Sequence, residues 1–406
     1  MQKRLKITAH SNNQVSNAYS ILLALSAGVW TLTTLLLIAS PSLHGIMTYL
    51  YIAVATAWVL VTFFSAGKGL KMSAPAFVMM VVCLIAYLFT VMYSQYKTSA
   101  TFVVFFCEVI LSFLMVQVKI NARAFLLTSM LMPLIGLPFI DTLFLYVSQE
   151  DSLGMGTSYA FMLPAVCTIV YLLKYIRYDR RLQKMFMWLL VAVNMLFMYL
   201  ILSSGSRGVV LSLIFTIVAI YIFPFDNERD GIRMKSWRSL LILLGAILIG
   251  IYFWNILDFF NTILKTVGIT IYGLDRTVEF HKAGDVLTGR DNIVEIAWDA
   301  FLHEPLFGHG VSTFPDYTND TYPWIHNSVI QLLFDGGLVL FLLVVYPLFR
   351  SIKYWFRTCT FDDYLMVLVL FSASVPGSLF SHDLWSLPIL WMFVGFSLKY
   401  CKSKHA

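Results

Sequence analysis

Charge is scarce in this chain. Only 12% of its 406 residues are Asp, Glu, Lys or Arg, while 59% are hydrophobic and the mean hydropathy is +0.78. Soluble domains carry about twice that share of charge. A chain this apolar cannot cover a water-facing surface, which excludes a soluble enzyme or binding domain and leaves an integral membrane protein. Cysteine is sparse as well, with five in all. Cys83, Cys107 and Cys167 fall in apolar runs, and Cys359 and Cys401 fall in short basic segments. With no CxxC pair and no cysteine in the long polar segment, a disulfide framework and a cysteine metal site are both excluded there. The chain also lacks a Walker A sequence, a GxGxxG fingerprint, an HExxH zinc site and a short Asp-x-Asp. Nothing supports ATP, dinucleotide or metal–nucleotide-sugar chemistry, so no metal and no other cofactor is expected.

Long apolar runs are what the chain has instead. Runs of about 20 residues read as spanning helices, and twelve are expected, at roughly 18–38, 43–65, 74–94, 99–118, 123–147, 156–174, 185–203, 208–224, 239–257, 327–349, 362–378 and 384–399. Backbone polar groups must be satisfied within lipid, so these are helices and not open strands. Alternating the loops between two sides puts 22 of the 28 Lys and Arg on one side. Only Lys97, Arg207, Lys265, Arg276, Lys282 and Arg290 lie on the other. By the positive-inside rule the basic side is cytoplasmic, so both termini are inside and the loop 258–325 faces out. The formal net charge of +6 is thereby topological and gives no reason to expect nucleic acid. The N-terminal apolar run exceeds a usual signal-peptide core and reads as an uncleaved first helix. The expectation is an all-α integral membrane protein, a single polytopic domain over 1–406, with one long structured extracytoplasmic loop between helices nine and ten.

That loop has structure of its own. Ile293, Ile296, Ala297, Ala300 and Phe301 recur at helical spacing over 290–302, and Thr288 with Asp291 resembles a capping box. Pro305 ends the helix, and Gly308 and Gly310 make the turn that follows.

Few basic residues face out, so each is informative. Arg207 sits in Ser204-Gly205-Ser206-Arg207-Gly208, where a helix begins. Ser206 can cap that helix, and free N–H groups with the helix dipole and a guanidinium make an anion clamp. The other reading is an arginine snorkelling to the interface. Arg290 opens the loop helix, where a positive charge works against the dipole. It serves either an anionic ligand or an ion pair with Asp291 or Glu295. His326, beside Asn327, stands where helix ten enters the membrane, placed to act as a general base near neutral pH or simply to sit at the interface. Its best rival is His382, next to Asp383, a carboxylate that could orient the ring. His303 reads as decorating the loop helix and His309 as part of the turn. Glu108, midway along helix four, is a buried carboxylate with either a functional role or a hydrogen-bonded structural one. Asp335 is in a similar position, in Phe334-Asp335-Gly336-Gly337, whose glycines allow close helix packing. An enzyme built this way uses a pre-activated donor already in the membrane. A lipid diphosphate fits, with its head group at the outer arginines and its tail in the bundle.

The order of motifs resembles the O-antigen ligase and polymerase superfamily of bacterial envelope glycosyltransferases. The resemblance covers about 205–340 and rests on Gly205-Ser206-Arg207-Gly208, then Gly289-Arg290, Trp298, Pro305, Gly308-His309-Gly310, and His326-Asn327 opening a helix with Gly336-Gly337. It implies metal-independent, inverting transfer of a saccharide from undecaprenyl diphosphate to a sugar hydroxyl outside the cytoplasmic membrane. Arg207 and Arg290 would hold the diphosphate, Asn327 would help bind substrate, and His326 would deprotonate the acceptor. A polymerase, with a lipid-linked repeat unit as acceptor, is the first expectation. A ligase, with lipid A–core as acceptor, is the second. A transporter of the same lipid-linked saccharide would call for internal repeats and midplane charges; Glu108 and Asp335 are present, but no repeat is.

Overall fold

The computed structural model describes residues 14–399 apart from 41–44, 66–69, 149–151, 177–180, 204–205, 227–230, most of 233–250, 269–271 and 285–289. Among the described residues the architecture is helical, and the only paired strands are the two-residue segments Phe225–Asp226 and Gly231–Ile232. Among the described residues, six helices are long and apolar enough to cross a membrane: Ile46–Phe64, Ala74–Tyr93, Ala122–Leu143, Gly156–Tyr175, Gln183–Ile201 and Ser328–Ile352. A seventh span results if Gln14–Ala27 and Val29–Ala39 are taken as one bent helix. The protein is a multi-pass helical membrane protein. The expected spans 99–118, 208–224, 362–378 and 384–399 appear as shorter helices, Phe102–Met115, Gly208–Ile222, Phe361–Ser372 and Pro388–Lys399. The expected span 239–257 falls partly outside the described residues.

Local sequence explains where several helices start. Ser73 accepts a hydrogen bond from the Ala76 N–H, with Pro75 in the first turn. The Asn121 side chain accepts from the Arg123 and Ala124 N–H groups, and Thr360 with Asp363 forms a capping box. Each satisfies donors that a helix N-terminus leaves unpaired. Gly156–Tyr175 is the innermost span, its most apolar stretch 78% buried, whereas the corresponding share for Ile46–Phe64 is 17%. The latter turns Phe63 and Phe64 outward, as a lipid-facing helix should.

Glycines mark the breaks. Between Gln14–Ala27 and Val29–Ala39 the chain bends by 59° at Gly28, where a Cβ would stand 2.3 Å from the Met132 sulfur. The break in Ser328–Thr358 is sharper, since Gly337 leaves helical geometry altogether with φ 60° and ψ −163°. The turn of residues 305–310 inserts into this break. The His309 N–H donates to the Phe334 carbonyl at 2.8 Å and the Gly310 N–H to that of Asp335 at 2.9 Å. In return the Leu338 N–H donates to the Pro305 carbonyl at 2.8 Å. Backbone meets backbone here. A Cβ on Gly308 would lie 2.3 Å from the Phe334 oxygen, and one on Gly337 would lie 2.4 Å from the Leu306 carbonyl. Gly337 therefore admits the outer turn, where helix–helix packing was the sequence expectation. Gly337→Ala should destabilise the protein by at least about 1–3 kcal/mol, the usual cost of one forced backbone strain. Thermal unfolding in detergent measures this, and an unchanged melting temperature would contradict the reading.

The bundle has two distinct ends. At one, Ser16 Oγ donates to the Lys119 carbonyl at 2.9 Å, Lys399 Nζ to that of Val118 at 2.6 Å, and Leu70 bridges Val118. At the other, Ser94 Oγ donates to the His309 carbonyl at 2.7 Å, and the Val311 N–H to Thr90 Oγ1 at 2.8 Å. The second end carries the polar cluster.

Candidate functional site

The helix Arg290–His303 matches its sequence expectation closely. Its apolar face, Ile293, Ala297 and Ala300, is buried against Phe314, Ile325 and Phe334, which fixes the first turn over the end of the bundle. Thr288, the proposed cap, lies outside the described residues. Arg290 reaches across to the segment after Ser378: its Nη1 donates to the Phe380 carbonyl at 2.6 Å and lies 3.5 Å from Ser381 Oγ. No acidic side chain pairs with it among the described residues, and Asp291 and Glu295 are both exposed. Its Nη2 and Nε donors have no protein acceptor there.

His326 lies next to this guanidinium. Its backbone is left-handed, φ 60°, a conformation uncommon for a residue with a side chain and one that marks strain held in place by its surroundings. On one side Trp324 Nε1 donates to Nδ1 at 2.9 Å. On the other the ring faces the Ser381 backbone. Burial, reinforced by Arg290, pushes the imidazole down to about 4, against an upward pull from Ser381. Asn327 stands at the start of the helix Ser328–Thr358. Its side-chain oxygen accepts from the Val329 and Ile330 N–H groups at 3.0 and 3.1 Å, so it caps the helix that follows, and its carbonyl is not free for substrate.

His382 stands behind His326. It is 6% exposed, packed edge-on against Trp30 at 5.2 Å and Tyr159 at 4.1 Å. Its Nε2 is buried with no hydrogen-bond partner among the described residues. Burial, with a smaller contribution from His326, pushes this ring down to about 3. Asp383 does not orient it: one carboxylate oxygen accepts from Gln331 Nε2 and the other from the Ser386 N–H at 3.0 Å. Both histidines are thus neutral at pH 7. An unfolded chain's imidazoles take up protons near about 6.5, which these two refuse until about 4 and 3, so each weakens the fold as pH falls below about 6.5.

Tyr159 joins the remaining candidates. Its hydroxyl lies beside Ser381 and Ser206 and within the field of Arg290, and a Cβ on Gly208 would stand 2.3 Å from it. Ser206 is 2% exposed at the N-cap of Arg207–Ile222, so the Arg207 backbone opens its helix at this same cluster. The Arg207 side chain lies outside what is described. A cavity lined by Trp30, Tyr51, Tyr159, His382 and Ser386 leads inward from here.

Glu108 is apart from this group. It sits in a π-helical turn, Phe106–Ile110, of the kind that often marks functional positions, buried with one carboxylate oxygen unpartnered among the described residues. Its ionisable neighbours include Asp383, Tyr51 and Cys107. Asp335 accepts from Trp385 Nε1 at 2.5 Å, which ties it into packing. His309 Nε2 donates to the Ala300 carbonyl at 2.9 Å and the ring stacks on Phe334, so it belongs to the turn as expected. His303 bonds the Asp299 carbonyl within its own helix. Among the described residues no three His, Cys, Asp or Glu come together as a metal-ligand set.

Arg290, His326, His382, Ser206 and the start of the Arg207 helix therefore converge. Sequence reading missed Trp324, Tyr159 and Ser381. Trp324 is two residues from His326, whereas the other two come from distant helix ends and carry no local signal. Residues 190–345 match the family model described as O-antigen ligase, a stretch that holds Arg207, Arg290 and His326. No curated protein matches the chain.

Proposed function

We propose that this chain, whose residues 190–345 match the family model described as O-antigen ligase, is a member of the O-antigen ligase and polymerase superfamily and an inverting, metal-independent glycosyltransferase of the bacterial cytoplasmic membrane. Its donor is a saccharide on undecaprenyl diphosphate, and its acceptor is the sugar hydroxyl of a lipid-linked repeat unit, which makes it a polysaccharide polymerase. The observation that carries this reading is Arg290, a cation with unused donors and no acidic partner among the described residues, held beside a strained, neutral His326. An anion is the natural occupant of such a place. The diphosphate lies on Arg290 and on the helix end that begins at Arg207. His326 takes the acceptor proton as the hydroxyl oxygen attacks the anomeric carbon, and the sugar–phosphate bond breaks with its electron pair leaving on the diphosphate. Arginines that neutralise this developing charge lower the barrier directly. The acceptor reading has a second form, transfer to lipid A–core, which the family match supports equally.

Purified protein supplied with lipid-linked repeat units separates these possibilities. Lengthening of the saccharide supports polymerase, transfer only when lipid A–core is added supports ligase, and translocation without bond formation would identify a transporter. The site faces outward in this proposal, with both termini and the opposite bundle end in the cytoplasm. Reporter fusions at Asn319 and Arg229 should report opposite sides, the first outside. The same side for both would overturn the orientation.

A further inference from the structure

An indole nitrogen can only donate a hydrogen bond. Trp324 Nε1, 2.9 Å from His326 Nδ1, therefore requires Nδ1 to accept, and in a neutral ring the proton must then sit on Nε2. In that state neither ring nitrogen offers a free lone pair. The histidine best placed to act as a base cannot accept a proton while the indole stays where it is.

The indole is held by little else. Trp324 is half-buried in the non-helical stretch before the helix, and its only hydrogen bond and only ring contact among the described residues are both to His326, with centroids 5.3 Å apart. It belongs to none of the hydrophobic clusters that pack Ile325 and Phe314 beside it. Removing it from Nδ1 breaks one hydrogen bond and no core packing.

We propose that Trp324 is a positioning residue that caps His326 in the resting protein, selects Nδ1 as the nitrogen that will act, and yields its place to the acceptor sugar hydroxyl. This rests on the reading of His326 as the base. When the acceptor binds, its O–H replaces the indole N–H at Nδ1 while the other proton stays on Nε2. The hydroxyl proton then passes to Nδ1 as oxygen bonds to the anomeric carbon, and the diphosphate departs with the electron pair of the broken bond. The doubly protonated ring next to Arg290 is unfavourable, so it returns its proton to water after transfer. Until an acceptor arrives, no free lone pair is available to activate water, and the donor is protected from hydrolysis.

The direct test is nitrogen-15 NMR of histidine-labelled full-length protein in detergent at neutral pH. The cap predicts His326 protonated on Nε2 with Nδ1 as a hydrogen-bonded acceptor, and a change at Nδ1 when a saccharide acceptor is added without donor. Trp324→Phe keeps an aromatic ring and removes the N–H. It should release the tautomer, lower the acceptor KM by about threefold to tenfold, the worth of one neutral hydrogen bond, and raise donor hydrolysis in the absence of acceptor. The acid limb of its pH profile should move upward, because a donor that favoured the neutral ring is gone. The ionisable groups facing the ring, Arg290 and His382, are unchanged in this variant. A wild-type ring carrying its proton on Nδ1 would overturn the proposal, as would a Trp324→Phe enzyme with unaltered KM and hydrolysis. The wild-type measurements stand even if the variant fails to fold. An active His326→Ala protein would instead remove the base reading, and the tautomer would still be readable.

Discussion

His326→Ala is expected to yield no detectable polymer or ligated product while the protein still inserts, folds and binds donor. General-base catalysis is typically worth about 10²–10⁴-fold, or roughly 3–5 kcal/mol of barrier, and a slow polymerisation reduced by that factor drops below detection. The ring is placed for the task by more than its position in the sequence. Its left-handed backbone at φ 60° turns the side chain back towards Arg290 and Ser381, away from the helix that starts at Ser328. Its depression to about 4 keeps it neutral throughout the pH range of a bacterial envelope. Activity limited by this ring should accordingly fall only as pH drops through about 4, where an ordinary histidine would begin to lose it near about 6.5. His382→Ala should behave differently. That ring is enclosed by Trp30 and Tyr159, so its loss leaves a cavity and lowers stability more than it lowers the rate of transfer. If His326→Ala made normal product and His382→Ala made none, the base would have to be reassigned to the segment after Ser378.

Arg290→Ala should cost about 10²–10³-fold in kcat/KM, the scale seen when one preorganised stabiliser of developing negative charge is removed. Two consequences come together in this variant. The unpaired donors that would meet the diphosphate are lost, and so is the hydrogen bond to the Phe380 carbonyl that ties the loop helix to the segment bearing His382. Arg290→Lys separates them: an ammonium can retain one contact but cannot hold the carbonyl and an anion at once with the same planar geometry. Partial recovery, below a tenth of wild type, is the expected result. Arg207→Ala and Arg207→Lys should follow the same order. Full activity in either lysine variant would show that a point charge suffices and that no bidentate clamp exists.

Much of this arrangement was readable in the chain before any coordinates, and the parts that were not share a physical cause. Periodic burial gave the loop helix, because Ile293, Ala297, Ala300 and Phe301 repeat at the spacing that one buried face requires. Punctuation by Pro305, Gly308 and Gly337 was equally plain, but a glycine announces only that something passes close by. That Gly308 and Gly337 admit each other's backbone segments is a tertiary fact. Asn327 shows a local rule overlooked: an asparagine immediately before a helix is a cap first, and here it is one. Asp383 shows the opposite limit, since adjacency to His382 in sequence suggested a pair while the chain direction sends its carboxylate to Gln331 and Ser386. Tyr159 and Ser381 reach the site from segments more than 200 residues apart in the chain, and neither is flanked by anything that marks it. Apolar composition signals a span without fixing how much of it is regular helix, and the expected spans 99–118, 208–224, 362–378 and 384–399 accordingly appear as shorter helices.

The most direct measurement of the central claim is the stoichiometry of a single transfer. Purified protein in detergent, with a defined undecaprenyl-diphosphate-linked donor, a saccharide acceptor and a chelator present, should release one undecaprenyl diphosphate for each new glycosidic bond. The anomeric configuration at the transferred carbon should be inverted. Bond formation that stops with the chelator, proceeds with retention, or never accompanies release of the lipid diphosphate would contradict the account.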